Sequence, residues 1–225
     1  MRRFAVDRLG GPGDRLPVSP EVAHHLVDVC RARPGQAIVV FDGAGHQARA
    51  VVRELGPPVV VEQQSATSRA APEVALWALV AVVKGNAMEH ALRMGTEAGV
   101  THFLPCLTAR TVPKGDRHDR WQRVVQGAAA QCGRADVPTL FPLAPLDEHV
   151  TRLPPELTRF VAAPGAVRAG ASGPAAFAIG PEGGWAPAEL ASLLDAGWQP
   201  LGLGSWVLRA DTAVAVAAAM LASSE

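Results

Sequence analysis

Two stretches decide how this chain reads: Ile179-Gly180-Pro181-Glu182-Gly183-Gly184-Trp185 and Leu203-Gly204-Ser205-Trp206-Val207-Leu208-Arg209-Ala210-Asp211-Thr212-Ala213. Each follows an apolar, strand-like run and precedes a helix-like one. Strand, glycine loop and helix together let a backbone close on a small ligand, because glycine lacks the Cβ that would block approach. Two such loops in one short region suggest two walls of one pocket, and so an enzyme in preference to a scaffold. Each stretch also has an ordinary reading. Residues 181–184 read as a turn before a helix, and residues 208–213 as a helix start capped by Asp211 or Thr212. Neither explains Arg209, which reads as buried between an apolar run and a helix start. Such an arginine needs an anionic or carbonyl partner.

Working outward from these loops, strands and helices alternate. Residues 74–83 form a continuous apolar run, as expected of a strand buried on both faces. Helices are expected over 86–98, 119–131, 187–196 and 211–222. Strands are expected over 102–107, 138–141, 159–162, 175–179 and 199–203. This is the pattern of an α/β domain with a mainly parallel sheet, over residues 73–225. Residues 163–174 are small and glycine-rich and read as a surface loop.

Residues 1–66 read differently, as short strands with turns: 4–6, 37–41, 47–55 and 59–63, with a short helix after Ser19-Pro20. Asp42-Gly43-Ala44-Gly45 makes a hairpin-type turn. A compact β-barrel fits this pattern, and residues 64–72, polar and small, read as a linker.

Composition narrows the class. Hydrophobic residues make up 48% and charged residues 19% of 225, which fits an ordered globular protein. No apolar run is long enough to span a bilayer. The start, Met1-Arg2-Arg3-Phe4-Ala5-Val6-Asp7, lacks the apolar core of a signal peptide, so a cytoplasmic location is expected. Cys30, Cys106 and Cys132 are odd in number and far apart, and no metal-ligand spacing occurs, so no metal is expected. The formal net charge of zero argues against indiscriminate nucleic-acid binding. Residues 110–134 nonetheless hold six basic residues (Arg110, Lys114, Arg117, Arg120, Arg123, Arg134) against Asp116 and Asp119, a local net of +4. That suits a solvated helix face and a phosphate-binding surface about equally well.

Three common ligand motifs are excluded. Residues 180–184 lack the Gly-x-Gly-x-x-Gly spacing of a dinucleotide loop and come late in the domain. No Gly-Lys-Ser/Thr of a phosphate-binding loop is present, and no Gly-x-Ser-x-Gly elbow.

The chain resembles the 16S ribosomal RNA uracil-N3 methyltransferases, in the SPOUT superfamily of knotted methyltransferases. The resemblance runs nearly end to end. It rests on Arg3-Phe4, His25-Leu26, Arg31, Gly35 and residues 41–45, then on Lys84-Gly85, Met88-Glu89, residues 97–100, Arg110, residues 130–134 and Val137-Pro138. It ends on residues 179–184, Glu189 and residues 203–213. Single motifs are weak, but their joint order is specific. Two departures stand out. Asp211 occupies a place where the family more often has Glu, and Ser205-Trp206 is bulkier than the family's usual residues, which alters the pocket wall.

The resemblance implies a PUA-like barrel joined to an α/β domain with a C-terminal trefoil knot, a feature that breaks the usual rule against threaded chains. It implies S-adenosylmethionine as cofactor, bound by Ala162, Ile179, Gly180, Pro181, Glu182, Gly183, Gly184, Leu203, Gly204, Val207, Leu208 and Thr212. Arg209 would stabilise charge on the uracil oxygens. Glu182 and Asp211 are candidates for the base, and capping is the favoured role for Asp211. Arg3, His25, Arg31, Arg110, Gln131 and Arg134 would contact 16S rRNA in the small ribosomal subunit. The family's members are homodimers, and the apolar last helix reads equally as part of that interface or as core. Two other functions stay open: a knotted enzyme acting on another RNA or on a ribose 2′-oxygen, and a non-catalytic RNA-binding assembly factor.

Overall fold

The computed structural model describes residues 1–111, 117–168 and 170–222. Lys114 and Asp116 of the basic segment, and Ala169 of the expected surface loop, lie outside them. The chain divides into two units: Met1–Ala71 with Ala129–Val137, and Pro72–Ala128 with Pro138–Glu225. Residues 129–137, which the sequence assigns to the second domain, thus group with the first unit.

The first unit is one six-stranded sheet. Its strands are β1 (Arg3–Ala5), β2 (Arg15–Pro17), β3 (Ala37–Phe41), β4 (His46–Glu54), β5 (Val60–Gln63) and β6 (Ser68–Arg69). Their order is β1-β3-β4-β5-β2, with β6 also on β4. Strand β4 shows why the sheet forms here: Ala48, Ala50 and Val52 point inward while Arg49 and Arg53 point to solvent. The inward set packs with Phe4, Leu26, Ile38, Val40 and Val61. Gln63 is fully buried and fully used. Its side chain accepts from the Gly10 N–H at 3.0 Å and donates to the Gly10 and Ser65 carbonyls at 2.8 Å each. Helix α1 (Pro20–His24) starts at Ser19, whose Oγ accepts from the Val22 N–H at 3.4 Å. It continues as a π-helical turn, His25–Val29.

Strands β2 and β6 were not expected. They are three and two residues long, too short to display alternation, and β6 lies inside the expected linker, paired with His46 and Gln47. Residues 129–137 complete this unit. The Gly45 N–H donates to the Ala135 carbonyl at 3.0 Å, the Ala135 N–H to Ala70 at 2.7 Å and the Val137 N–H to Gly43 at 3.0 Å.

The second unit is a parallel sheet of seven strands: β7 (Leu76–Ala81), β8 (His102–Leu107), β9 (Thr139–Leu140), β10 (Ala144–Pro145), β11 (Thr158–Ala162), β12 (Ala175–Ile179) and β13 (Gln199–Leu201). The order is β10-β8-β7-β12-β11-β13, with β9 also on β8. The helices are α2 (Ala87–Glu97), α3 (His118–Cys132), α4 (Leu146–Arg152), α5 (Pro187–Asp195) and α6 (Ala210–Ala222). All five residues of β12 are buried. Strand β10 and helix α4 escaped the sequence reading. Helix α4 follows Pro145 with no side-chain cap, and it buries only Leu146 and His149. The His149 Nε2–H donates to the Pro105 carbonyl at 3.0 Å, and burial holds this imidazole below its ordinary pKa.

Strand β13 ends at Leu201, two residues earlier than expected, because the chain turns sharply there. The Gly202 N–H donates to the Val167 carbonyl at 2.9 Å. A Cβ on Gly202 would lie 1.9 Å from the Ala166 carbonyl oxygen. The segment leaving β13 therefore runs backbone against backbone with the loop leaving β11. Helix α6 then packs on α2, β7 and β12. Its Ala213, Val214, Ala217, Ala218 and Leu221 are buried within this chain, so that face is core.

Candidate functional site

In an open parallel sheet, ligands bind beyond the carboxyl ends of the strands. Here β11, β12 and β13 end around a cleft of about 460 Å³, within the range of small-ligand sites. One wall is Ile179, Gly180, Pro181, Glu182, Gly184 and Trp185. The facing wall is Leu203, Gly204, Trp206, Val207, Leu208 and Arg209. Ala162, Ala163 and Pro164 leave β11 beside them, and Leu201 ends β13. Lys84 comes from the turn after β7 and Ala87 opens α2, while Ala210, Asp211 and Ala213 belong to the first turns of α6. The two glycine loops thus face one cavity, as their sequences suggested. Lys84, Ala87 and Trp185 are not among the ligand-binding residues the sequence points to, and only strand pairing brings Lys84 and Ala87 to the cleft. Val80 pairs with Ile179, so the segment after β7 must emerge beside the first glycine loop.

Gly183 and Thr212, expected among the ligand-binding residues, do not line the cleft. The Gly183 carbonyl instead accepts from the Arg110 guanidinium. The Thr212 N–H donates to Asp211 Oδ1 at 2.9 Å. The loops are braced from several sides. Residues 181–184 form a turn in which the Gly184 N–H donates to the Pro181 carbonyl at 2.8 Å, and Gly184 leaves it with φ +70°, which glycine adopts without strain. Glu182 Oε1 accepts from the Lys84 N–H at 3.2 Å. Trp185 Nε1–H donates to the Ala162 carbonyl at 3.2 Å. Glu189 accepts from the Ala186 N–H at the start of α5 at 2.9 Å and from the Ala109 N–H at 2.6 Å.

Arg209 corrects the sequence reading. Its side chain is 76% exposed, because the chain reaches solvent before α6 begins. Its partner is Asp211, with Nε 3.4 Å from Oδ1. Asp211 is itself buried and sits 3.7 Å from His90 Nδ1. Burial pushes the Asp211 carboxyl up, but the Thr212 N–H, the Arg209 guanidinium and His90 outweigh it and hold it below the usual carboxylate range. The cleft therefore combines apolar walls with a fixed carboxylate that steadies an exposed cation.

The expected RNA contacts are less uniform. His25, Arg31, Arg110 and Gln131 are exposed. Arg31 has φ 48°, at the end of the helical segment. Arg3 is half-buried; it donates to the Arg134 carbonyl at 3.1 Å and lies 5.5 Å from the Phe41 ring centre. Arg134 is buried, with its Nε 3.0 Å from Asp136 Oδ1. That geometry ties residues 129–137 together and turns the guanidinium away from solvent. Gln131 and Arg134 also group with the first unit instead of the second. Among the described residues, no group of His, Cys, Asp and Glu is placed to hold a metal ion. No helix among the described residues is long and apolar enough to cross a membrane.

Comparison with known proteins bears on this geometry. Residues 70–222 match the RNA methyltransferase domain family, and residues 18–58 the RNA methyltransferase PUA domain family. The chain is 36% identical to the ribosomal RNA small subunit methyltransferase E of Mycobacterium tuberculosis, covering 95% of this chain and 88% of that one. It is 34% identical to the protein of that name from Synechocystis, over 88% and 69%. Among solved structures, the ribosomal RNA small subunit methyltransferase E from Neisseria gonorrhoeae, bound to S-adenosyl methionine, superposes with a TM-score of 0.90 at 28% identity, covering 97% of this chain and 95% of that one. With a parallel sheet, a cleft built from two glycine loops and this likeness along nearly its whole length, the chain belongs to the ribosomal RNA small subunit methyltransferase E family of RNA methyltransferases.

Proposed function

We propose that this protein transfers a methyl group from S-adenosylmethionine to N3 of a uridine in 16S rRNA of the small ribosomal subunit. The observation that carries the reading is the cleft itself, walled by both glycine loops with Arg209 at its edge. Its residues suit the cofactor. Leu203 and Leu208 offer apolar faces to an adenine ring, and the backbone of Gly180, Pro181, Leu203, Gly204 and Val207 lies along the cleft where the edge of that ring would sit.

When bound, S-adenosylmethionine supplies an electrophilic methyl and its own leaving group, so the protein's task is alignment and charge. Uracil N3 lies on the pairing edge, and the target must therefore be unpaired or extruded. As its proton leaves, negative charge grows on the two flanking carbonyl oxygens. Arg209 stands exposed at the cleft to meet that charge, steadied by Asp211. Asp211 is committed to Arg209, His90 and the Thr212 N–H, which leaves Glu182 as the proton acceptor among the carboxylates lining the cleft. Arg31, His25 and Gln131, all exposed, would contact the RNA. The close pass of Gly202 against residues 166–167 supports a knotted path for α6, and a homodimer in the cytoplasm is the form we propose for the active enzyme.

The test is methyl transfer from labelled S-adenosylmethionine to small subunits from cells lacking the enzyme, followed by nucleoside mass spectrometry. The expected product is 3-methyluridine. A 2′-O-methylated nucleoside, or cofactor binding without transfer to these subunits, would overturn the assignment.

A further inference from the structure

Trp206 is out of place for a structural tryptophan. The chain has no Tyr, and among the described residues Trp206 is the only Trp or Phe that is exposed. Trp121 and Trp198 are 3% and 2% exposed, whereas Trp206 is 84% exposed. An indole left in water gains nothing for the fold, since its stabilising contribution comes from burial. Yet Trp206 is not on a remote surface. It lines the cleft, three residues before Arg209 in the same loop.

A flat apolar face and a cation at one cleft match the two halves of a pyrimidine base. The ring offers a π-face for stacking, and its carbonyl oxygens accept from a guanidinium. An unpaired base loses its stacking neighbours, and an aromatic side chain replaces them. The charge balance makes such a contact more necessary. With a formal net charge of zero, general attraction to phosphates is weak, and contacts to the base must contribute more of the binding.

We propose that Trp206 is the stacking platform for the target base, a positioning residue that holds the unpaired uracil against Arg209. The inference rests on the uridine reading above and adds the residue that receives the base.

The experiment compares wild type, Trp206→Leu and Trp206→Phe as full chains. It measures kcat/KM for methyl transfer to small subunits, cofactor Kd by calorimetry, and mass by sedimentation. Loss of one base-aromatic stack predicts a fall of about 10- to 100-fold in kcat/KM for Trp206→Leu. Cofactor Kd and mass should hold, and Trp206→Phe should recover most of the loss because a phenyl ring still stacks. Any of three results overturns the proposal: full turnover by Trp206→Leu, an equal loss of cofactor affinity, or a changed mass showing that a second copy covers the indole. A wild-type enzyme that modifies no uridine sinks the uridine reading, and this inference with it. Wild-type 3-methyluridine formation with an unimpaired Trp206→Leu sinks this inference alone.

Discussion

Arg209 and Asp211 show how one short stretch sets the side-chain geometry on which the proposed role of Arg209 depends. Asp211 is buried and ionised, and it holds Arg209 from below while the guanidinium faces solvent. Arg209→Lys keeps the charge but loses the planar fork that can reach both carboxylate and substrate. We expect kcat to fall about 100-fold or more, as for loss of an oxyanion donor, with cofactor Kd unchanged. Full turnover by this variant would remove Arg209 from the chemistry. A second residue governs stability. His149 is buried neutral, with its folded-state pKa below the unfolded value of about 6.5. As pH falls below about 6.5, the unfolded chain takes up a proton that folded His149 refuses, so this contribution to stability is lost on the acid side. His149→Gln retains an N–H donor for the Pro105 carbonyl and removes the titration. The melting-temperature advantage of wild type over this variant should therefore shrink between about pH 7.5 and pH 5.5. The difference isolates His149 from His102, which burial also holds low. A constant difference across that range would contradict the account.

Among the elements, legibility followed length and burial. Strands β3, β8 and β12 could be read to the residue, because each is a five- or six-residue apolar run between breakers. Strands β2, β6 and β10 are too short to carry a period, and α4 hides behind a proline. At the cleft, both glycine loops were legible from their own residues. Lys84 and Ala87 were not, since only the pairing of β7 with β12 brings them there. The exposure of Arg209 was hidden for a similar reason: an apolar run before it suggested burial, but Trp206 and Val207 of that run are themselves 84% and 85% exposed. Nothing local in the sequence marks Gly202, because this glycine is needed by a loop more than 30 positions away. Gly202→Ala would place a methyl 1.9 Å from the Ala166 oxygen. We expect destabilisation at or above ~3 kcal/mol, the upper end of ordinary overpacking, together with loss of cofactor binding. Calorimetric melting and titration of the variant would check both, and a wild-type melt would refute the tight crossing.

At the scale of the whole molecule, the first unit is discontinuous in sequence. Residues 1–71 supply its six strands, but the Gly45 N–H donates to the Ala135 carbonyl, the Gly43 carbonyl accepts from the Val137 N–H and Arg3 donates to the Arg134 carbonyl, all in residues 129–137. A fragment of residues 1–71 should therefore lose amide protection at Gly45 and melt without a sharp transition, while a peptide of residues 129–137 added in trans should restore part of both. A cooperative melt of the fragment alone would show that the segment is dispensable. Sequence could not reveal this arrangement, because residues 129–137 are the last turn of α3 and the five residues after it, and carry no strand pattern of their own.

That arrangement also bears on descent. A module that can be traded between genes must be cut out by one boundary on each side. Here a single crossover after residue 71 would strand the closing segment on the other product, and neither recombinant would inherit a complete first unit. Its lineage is then bound to that of the methyl-transferring unit whose residues 72–128 interrupt it, so the two should share one ancestry and not be found recombined with strangers.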